Sequence, residues 1–336
     1  MTIAAALSDH DLATYTRSLN LAQRAHALLQ HQKASWETLR NGYAMLDTIE
    51  TRTLIFGDFV FRLQFNPRRI VSSAAKVDAK SIAERKCFLC PGHLPKEQRG
   101  LAFAERYLVL CNPFPIFPEH FTIPDLSHTP QRIAGTFGDM LDLAQAMGDR
   151  YTLFYNGPKC GASAPDHFHF QAGDRGFMPI DSEYDYIKTH LGRQIANRGS
   201  LHAYAVDKYL RSLISFESPS RAAMMEAFKT FYGAFEEMSP AGQEEPMLNI
   251  LASHARGNWR VICFPRAKHR PSCFFAEGDA RILLSPASVD FGGVVVTPLE
   301  QDFRRVDQTV LMQMFNEVCL APDVFHGLAR RLEGAL

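Results

Sequence analysis

The spacing of apolar and polar positions changes several times along the chain. Residues 9–50 place leucine and alanine at helical intervals among long polar side chains, which predicts two or three amphipathic helices. From Thr51 the pattern becomes that of β-structure, and it predicts a bent strand or hairpin up to Phe65. Further strands are predicted over 107–111 and 151–155, and helices over 129–150 and 182–215.

The second part of the chain repeats this outline. A predicted helix over 220–238 precedes strands over 247–253 and 259–264, then strands over 281–284 and 292–297. Such an order predicts an α+β fold with a pseudo-duplicated unit. We divide the chain into a helical segment (1–50), a first half (51–215) and a second half (216–336).

The clearest alternation follows a loop that contains glycine and serine. It places His167, His169 and Gln171 on one face of a strand, and Phe168 and Phe170 on the other, where they anchor the core. Two imidazoles and an amide beside an anion-binding loop can supply a nucleophile and the polar groups that orient it.

We interpret His169 as a nucleophile that displaces a leaving phosphate and holds a nucleotidyl group as a phosphoramidate. Its second ring nitrogen then needs an anchor such as a backbone carbonyl. Gln171 can donate to a phosphoryl oxygen, and the loop amides near Gly161, the Ser163 hydroxyl and Asn156 can bind phosphates. The alternative is that His-x-His is a metal pair, or simply two hydrogen-bonded polar residues.

Cys87-x-x-Cys90 has the spacing of half a tetrahedral zinc site. Candidates for the other half are His93, His120 and His167. Ligation by both cysteines, His120 and His167 would make a structural zinc that fixes the strand of the nucleophile. The alternatives are two buried reduced thiols or a redox dithiol, and no thioredoxin-like context supports the latter.

Clusters of basic residues suit a polyphosphate or sugar phosphate. A Pro-bounded turn over 265–271 concentrates several of them, and the alternative is a solvated surface turn. The candidates for substrate binding are Arg68, Lys76, Arg266, Lys268 and Arg270.

Composition narrows the class of partner. Lys plus Arg and Asp plus Glu both number 36, so no global charge attracts nucleic acid or a membrane surface. We find no secretory signal and no apolar run of membrane-spanning length, and the Cys-x-x-Cys pair among seven cysteines favours a reducing compartment. We therefore expect a cytoplasmic protein.

At these motifs the chain resembles one branch of the histidine triad superfamily. That branch includes galactose-1-phosphate uridylyltransferase, the diadenosine tetraphosphate phosphorylases and the GDP-hexose phosphorylases. The similar segments are the knuckle Cys-Phe-Leu-Cys-Pro-Gly (87–92), Asn-Pro-Phe-Pro (112–115) with Pro-Glu-His (118–120), Gly-Ala-Ser (161–163), and His-Phe-His-Phe-Gln (167–171).

The resemblance implies a pseudo-duplicated histidine-triad-like fold with two antiparallel-sheet halves and packed helices. It implies that His169 is the covalent nucleophile, that His167 supports the site, and that Gln171 contacts the phosphate. The implied activity is nucleotidyl transfer from a nucleoside diphosphate sugar or dinucleoside polyphosphate to phosphate or a sugar phosphate. Members of the branch are often homodimers.

This chain departs from the branch at three points. Asp166 is inserted before His167, the second half has no His-x-His, and Phe168 separates the two histidines as in the GDP-hexose phosphorylases. The inserted aspartate supports an alternative, a zinc-stabilised nucleotide-binding protein without catalysis. A third alternative is a nucleotide hydrolase of the same superfamily.

Overall fold

A ten-stranded antiparallel sheet forms the centre of the molecule, and a three-stranded sheet packs on one of its faces. Both belong to a computed structural model that describes residues 5–17, 20–70, 77–240 and 242–336. The strands described are β1 (Thr51–Phe56), β2 (Phe59–Phe65), β3 (Gly100–Phe103), β4 (Tyr107–Cys111), β5 (His120–Pro124), β6 (Tyr151–Asn156), β7 (His169–Asp174), β8 (Gly192–Arg198), β9 (Leu201–Val206), β10 (Leu213–Ser218), β11 (Leu248–Ala255), β12 (Asn258–Pro265) and β13 (Val294–Thr297).

Helices cover both faces of the large sheet. Those described are α1 (Asp9–Leu12), α2 (Leu21–Ser35), α3 (Glu37–Leu46), α4 (Ala79–Glu84), α5 (Phe137–Met147), α6 (Pro179–Tyr186), α7 (Arg221–Met238), α8 (Ser272–Phe275), α9 (Ser288–Phe291), α10 (Glu300–Arg305), α11 (Gln308–Val318) and α12 (Pro322–Ala335).

The strand order of the large sheet repeats itself about the centre. It runs β3-β4-β5-β7-β6 and continues β11-β12-β10-β9-β8, so five strands from one edge match five from the other. In each group a helix connects the third strand in chain order to the fourth. Helix α5 connects β5 to β6, and helix α7 connects β10 to β11. This confirms the α+β fold with two antiparallel-sheet halves, and the predicted boundary after residue 215 falls inside β10.

Two apolar cores lie on opposite faces of the large sheet. One contains Phe168 and Phe170 and is covered by α2, α5, α7 and α12. The other contains Phe154 and packs against β2, β13 and α11. Because side chains alternate along β7, His169 and Gln171 face away from the first core.

Several predicted elements are confirmed: the N-terminal helices, the hairpin β1–β2, the strands β4 and β6, the helix α7, and the strands β11 and β12. The helix predicted over 129–150 begins only at Phe137. The backbone before it is used elsewhere, since the Phe168 N–H donates to the Thr129 carbonyl and the Gln131 N–H to the Pro165 carbonyl.

Two further predictions of local structure are wrong. A helix was predicted over 182–215, but this segment contains the end of α6, one π turn and the three strands β8, β9 and β10. These strands are stabilised by pairing within the large sheet. The strand predicted over 281–284 is irregular, because the Leu283 N–H donates to the Asp302 carboxylate, at 2.8 Å, instead of to a neighbouring strand.

Candidate active site and metal-binding group

A cavity of about 1020 Å³ lies over the sheet face that His169 and Gln171 share. Its wall combines both halves of the chain. The first half contributes His169, Gln171, Asn156 and the loop 161–163, and the second half contributes residues from the loops after β12. The site is therefore closed by segments far apart in sequence.

The hydrogen bonds of His169 define its tautomer. Its Nδ1 lies 2.9 Å from the carbonyl oxygen of His167, and because a carbonyl can only accept, Nδ1 must carry the proton. Nε2 is then left with its lone pair. Burial lowers the pKa of His169 to about 4, so the ring is neutral at pH 7. The result is an oriented, unprotonated imidazole nitrogen on a residue that lines the cavity.

Gln131 fixes the backbone on both sides of this imidazole. Its Oε1 accepts from the His169 N–H at 2.8 Å, and its Nε2 donates to the carbonyls of His169 and Asn156, each at 3.0 Å. The side chain is fully buried. Sequence reasoning missed Gln131 because it lay within a predicted helix, and its only local signal is the preceding proline.

The orientation of Gln171 follows from its neighbour His120. The His120 Nδ1 accepts from the Ile116 N–H at 3.3 Å, so its Nε2 is protonated and donates to the Gln171 Oε1 at 3.2 Å. Burial, and secondarily the charge of Arg69, lower the pKa of His120 to about 3, which agrees with a neutral ring. With its oxygen engaged, Gln171 has its NH2 group available as a donor.

Asn156, at the end of β6, joins the first half of the chain to the second half. Its Oδ1 accepts from the Asn249 Nδ2 at 2.8 Å and from the Ser288 backbone N–H and hydroxyl at 2.8 and 2.7 Å. Gly161 approaches this region with φ of +94°, and a Cβ there would lie 2.5 Å from the Cβ of Ala287. Only glycine meets both conditions without strain.

A second group of side chains lies at the knuckle. The Sγ atoms of Cys87 and Cys90 and one ring nitrogen each of His128 and His167 all lie within 4.8 Å of one another. The His167 Nδ1 is 3.3 Å from the Cys87 Sγ, while its Nε2 donates to the Asp125 carbonyl at 2.8 Å. His167 therefore directs a lone pair toward the thiols, as a metal ligand requires.

The fourth member of this group is His128, so the assignment of His120 is wrong. His120 has both ring nitrogens engaged with Ile116 and Gln171, whereas the His128 Nδ1 lies 3.2 Å from the Cys90 Sγ. His93, the other sequence candidate, directs its Nδ1 to the Cys87 carbonyl at 2.8 Å. Two thiols and two imidazoles fit the tetrahedral preference of zinc.

The predicted basic residues separate into different environments. Arg270 lines the cavity, and its Nε donates to the Ser285 hydroxyl at 2.9 Å. Arg266 is buried and donates to backbone carbonyls, among them that of Pro286 at 2.7 Å, so it braces the turn. Lys268 pairs with Glu317 on the surface, at 3.5 Å, and Arg68 contacts Met45, so neither lies on the cavity wall.

Lys76 lies outside the described residues. The cavity wall also contains Arg69 and His269, which belong to the predicted basic clusters but were not chosen as substrate-binding candidates, and Arg85, which was not predicted at all. Arg69 directly follows Arg68 in sequence, yet only Arg69 turns inward, where its Nη1 donates to the Phe114 carbonyl at 3.1 Å. Burial lowers the pKa of His269 to about 4, so this side chain is neutral.

No described helix is long and apolar enough to cross a membrane. Residues 28–174 match a family model described as a domain of unknown function (DUF4922). A comparison with curated proteins finds no sequence match.

The yeast Ap4A phosphorylase Apa2 superposes with a TM-score of 0.53 at 15% identity, covering 84% of this chain and 94% of the yeast chain. The two chains share one fold. Apa2 in complex with AMP gives the same TM-score at 14% identity, over 85% of this chain and 97% of that one. A uridylyltransferase mutant gives 0.39 at 12% identity, over 74% and 94%. The likeness to Apa2 is a likeness of fold, and it agrees with the fold that the sequence motifs led us to expect.

Proposed function

We propose that the protein is a nucleotidyltransferase that works through a covalent nucleotidyl-histidine on His169. The observation that carries the proposal is the tautomer of this residue, with Nδ1–H on a carbonyl and a neutral Nε2 available to the cavity. The likeness of fold to an Ap4A phosphorylase supports the same class of chemistry.

The reaction then has two balanced steps. The His169 Nε2 attacks the α-phosphorus of the donor, a P–N bond forms, and the P–O bond to the leaving phosphate breaks. An oxygen of the acceptor next attacks the same phosphorus, and the P–N bond breaks to regenerate the neutral imidazole. The NH2 group of Gln171, the Ser163 hydroxyl and the loop amides stabilise the equatorial oxygens.

The donor that suits this cavity is a nucleoside diphosphate sugar or a dinucleoside polyphosphate. Arg69 and Arg270 on the cavity wall supply positive charge for its phosphates. The acceptor is inorganic phosphate or a sugar phosphate, and we favour phosphate, hence a phosphorylase.

Zinc is the ion we propose for the Cys87, Cys90, His128 and His167 group. The bound ion would cross-link the knuckle to the residues before β7, and its role would be structural. Nothing in the two transfer steps passes through it. Seven free cysteines fit the cytoplasmic location expected from the sequence.

The inserted Asp166 does not favour the catalytically inactive alternative. Its carboxylate pairs with Arg85, while His169 and Gln171 keep their places on the cavity wall. The hydrolase alternative differs only in the acceptor, since water would release the nucleotide.

The test is the mass of the intact protein after incubation with GDP-glucose, UDP-glucose, ADP-glucose and diadenosine tetraphosphate, without acceptor. We expect an increase equal to one nucleoside monophosphate with at least one donor, and no increase for His169→Ala. Loss of the adduct on addition of phosphate identifies a phosphorylase, and its loss in buffer alone identifies a hydrolase. Folded, zinc-loaded protein that binds the donors without forming any adduct would contradict the proposal.

A further inference from the structure

We refer to Cys87, Cys90, His128 and His167 together as the Cys/His group. The side chain of Asp166 lies between this group and the cavity. Its Oδ1 accepts from the Arg85 Nη2 at 2.5 Å, and its Oδ2 lies 3.8 Å from the His128 Nε2. The Asp166 carboxylate is 16% exposed, whereas the His128 side chain is 47% exposed. One inserted residue therefore touches both a member of the metal-binding group and an arginine of the cavity wall.

The His128 ring has the orientation expected of a metal ligand with an outer partner. Its Nδ1 faces the Cys90 Sγ at 3.2 Å, so the proton resides on Nε2 when Nδ1 binds an ion. The Asp166 carboxylate lies 3.8 Å from this Nε2, within reach of a charge interaction but longer than a hydrogen bond. Such histidine–carboxylate pairs fix the ring of a ligand and strengthen its bond to the metal.

Arg85 has hydrogen-bonding capacity left over. Its Nη2 is used by Asp166, but its Nη1 is buried and has no acceptor among the described residues. The guanidinium lies 5.1 Å from the ring centre of Phe88, which restricts its plane. A planar cation of this kind, with unused donors on a cavity wall, suits a phosphate group.

We propose that Asp166 is a positioning residue that couples occupation of the Cys/His group to phosphate binding by Arg85. If His128 held an ion through Nδ1, its ring would be oriented and its Nε2–H would attract the nearer oxygen of Asp166, 3.8 Å away. The other oxygen holds Arg85 by a hydrogen bond. The fixed guanidinium then binds the phosphate remote from the transferred nucleotidyl group at a lower entropic cost. The inference rests on the proposed function only in taking that phosphate to be part of the substrate.

Calorimetric titration with inorganic tripolyphosphate tests this coupling without turnover. We expect zinc-loaded protein to bind it about tenfold more tightly than chelated protein, the size of one charge-assisted hydrogen bond. Asp166→Asn and Arg85→Lys should each lose about tenfold in the zinc-loaded form and little more on chelation. Asp166→Glu should recover part of the loss.

Asp142→Asn is the matched control. It removes the carboxylate of another Arg–Asp pair, with Arg221, whose distances are 2.7 and 2.8 Å and which lies off the cavity wall. This variant should bind tripolyphosphate like the unmodified protein. As a second measurement, competition with a chromophoric chelator should show zinc held at least about tenfold more weakly by Asp166→Asn.

Three results would overturn the coupling. These are no binding of tripolyphosphate by the zinc-loaded protein, unchanged binding in Asp166→Asn, or an equal loss on chelation with and without Asp166. The adduct experiment separates this failure from that of the proposed function. An adduct on His169 with uncoupled tripolyphosphate binding rejects only the inference, whereas coupled binding without any adduct rejects only the nucleotidyl transfer.

Discussion

Strands β7 and β12 occupy matching places in the two halves of the sheet but carry different chemistry. Each lies next to the central strand of its half. β7 presents His169 and Gln171 to the cavity, whereas β12 runs Trp-Arg-Val-Ile-Cys-Phe over 259–264 and contains no histidine. The difference shows that strand pairing and reactive side chains are separable, because pairing depends on the backbone and alternation while reactivity depends on a few polar residues.

The second half adds Arg270 to the cavity wall, and it also holds residues of the first half in place. Asn249 and Ser288 hold the oxygen of Asn156, and Ala287 packs against Gly161. Arg266 in turn holds the carbonyl of Pro286. If the first half supplies the reaction and the second supplies the enclosure, substitutions in the two halves should have different effects.

The largest effect is expected from His169→Ala. Loss of the nucleophile should lower the rate of nucleotidyl transfer at least about a thousandfold while leaving donor affinity nearly intact. The control is His202→Ala, on β9 in the second group of five strands and off the cavity wall, which should retain full activity. Equal losses in steady-state kcat for the two variants would contradict the division of labour.

Gln131→Ala should have the next largest effect. It removes three hydrogen bonds that hold the backbone of His169 and Asn156. The imidazole would therefore be less well oriented for attack, although the nucleophile itself is still present. We expect kcat to fall by about 10- to 100-fold. The exposed Gln145→Ala on α5 controls for loss of a glutamine. An unchanged kcat, in a variant whose melting temperature is lowered, would show that Gln131 only stabilises the fold.

Gly161→Ala tests the contact between the halves. The new Cβ would lie 2.5 Å from that of Ala287 at a φ of +94°, so we expect a loss of about 2 kcal/mol in unfolding free energy. Gly176→Ala has a similar φ of +85° with open space around it, and should cost less. Adding Ala287→Gly to Gly161→Ala should recover part of the difference, because the Ala287 Cα would still lie 3.0 Å from the new Cβ. If Gly161→Ala and Gly176→Ala lowered the free energy of unfolding in urea equally, the two halves would not be in close contact at Gly161.

The smallest effect is expected from pH. The pKa of His169 is lowered by burial to about 4, so protonation removes the nucleophile only as the pH falls toward that value. The single-turnover rate of adduct formation should stay within about twofold from pH 8 to pH 5, whereas an ordinary histidine would lose more than tenfold. A nucleoside diphosphate sugar suits this measurement because its phosphates do not titrate in this range. A midpoint near pH 6.5 would contradict the assigned environment.

The parts of the site that are local in sequence could be predicted. Alternation alone placed Phe168 in the core and His169 on the opposite face, because β-strand geometry has a period of two. The choice of His128 over His120 could not be made, because both lie near β5 and only the tertiary path of the chain decides which ring meets the thiols. Gln131 and Arg85 likewise act across gaps of tens of residues.

The most direct test is to locate the trapped nucleotidyl group by peptide mapping with tandem mass spectrometry. The protein would be incubated with the donor that gives an adduct, without acceptor, and digested under mildly alkaline conditions that preserve phosphoramidates. Modification of His169 alone, within the peptide that also contains His167, is the predicted result. Modification of His269, which also lines the cavity, or of any other histidine would contradict the account.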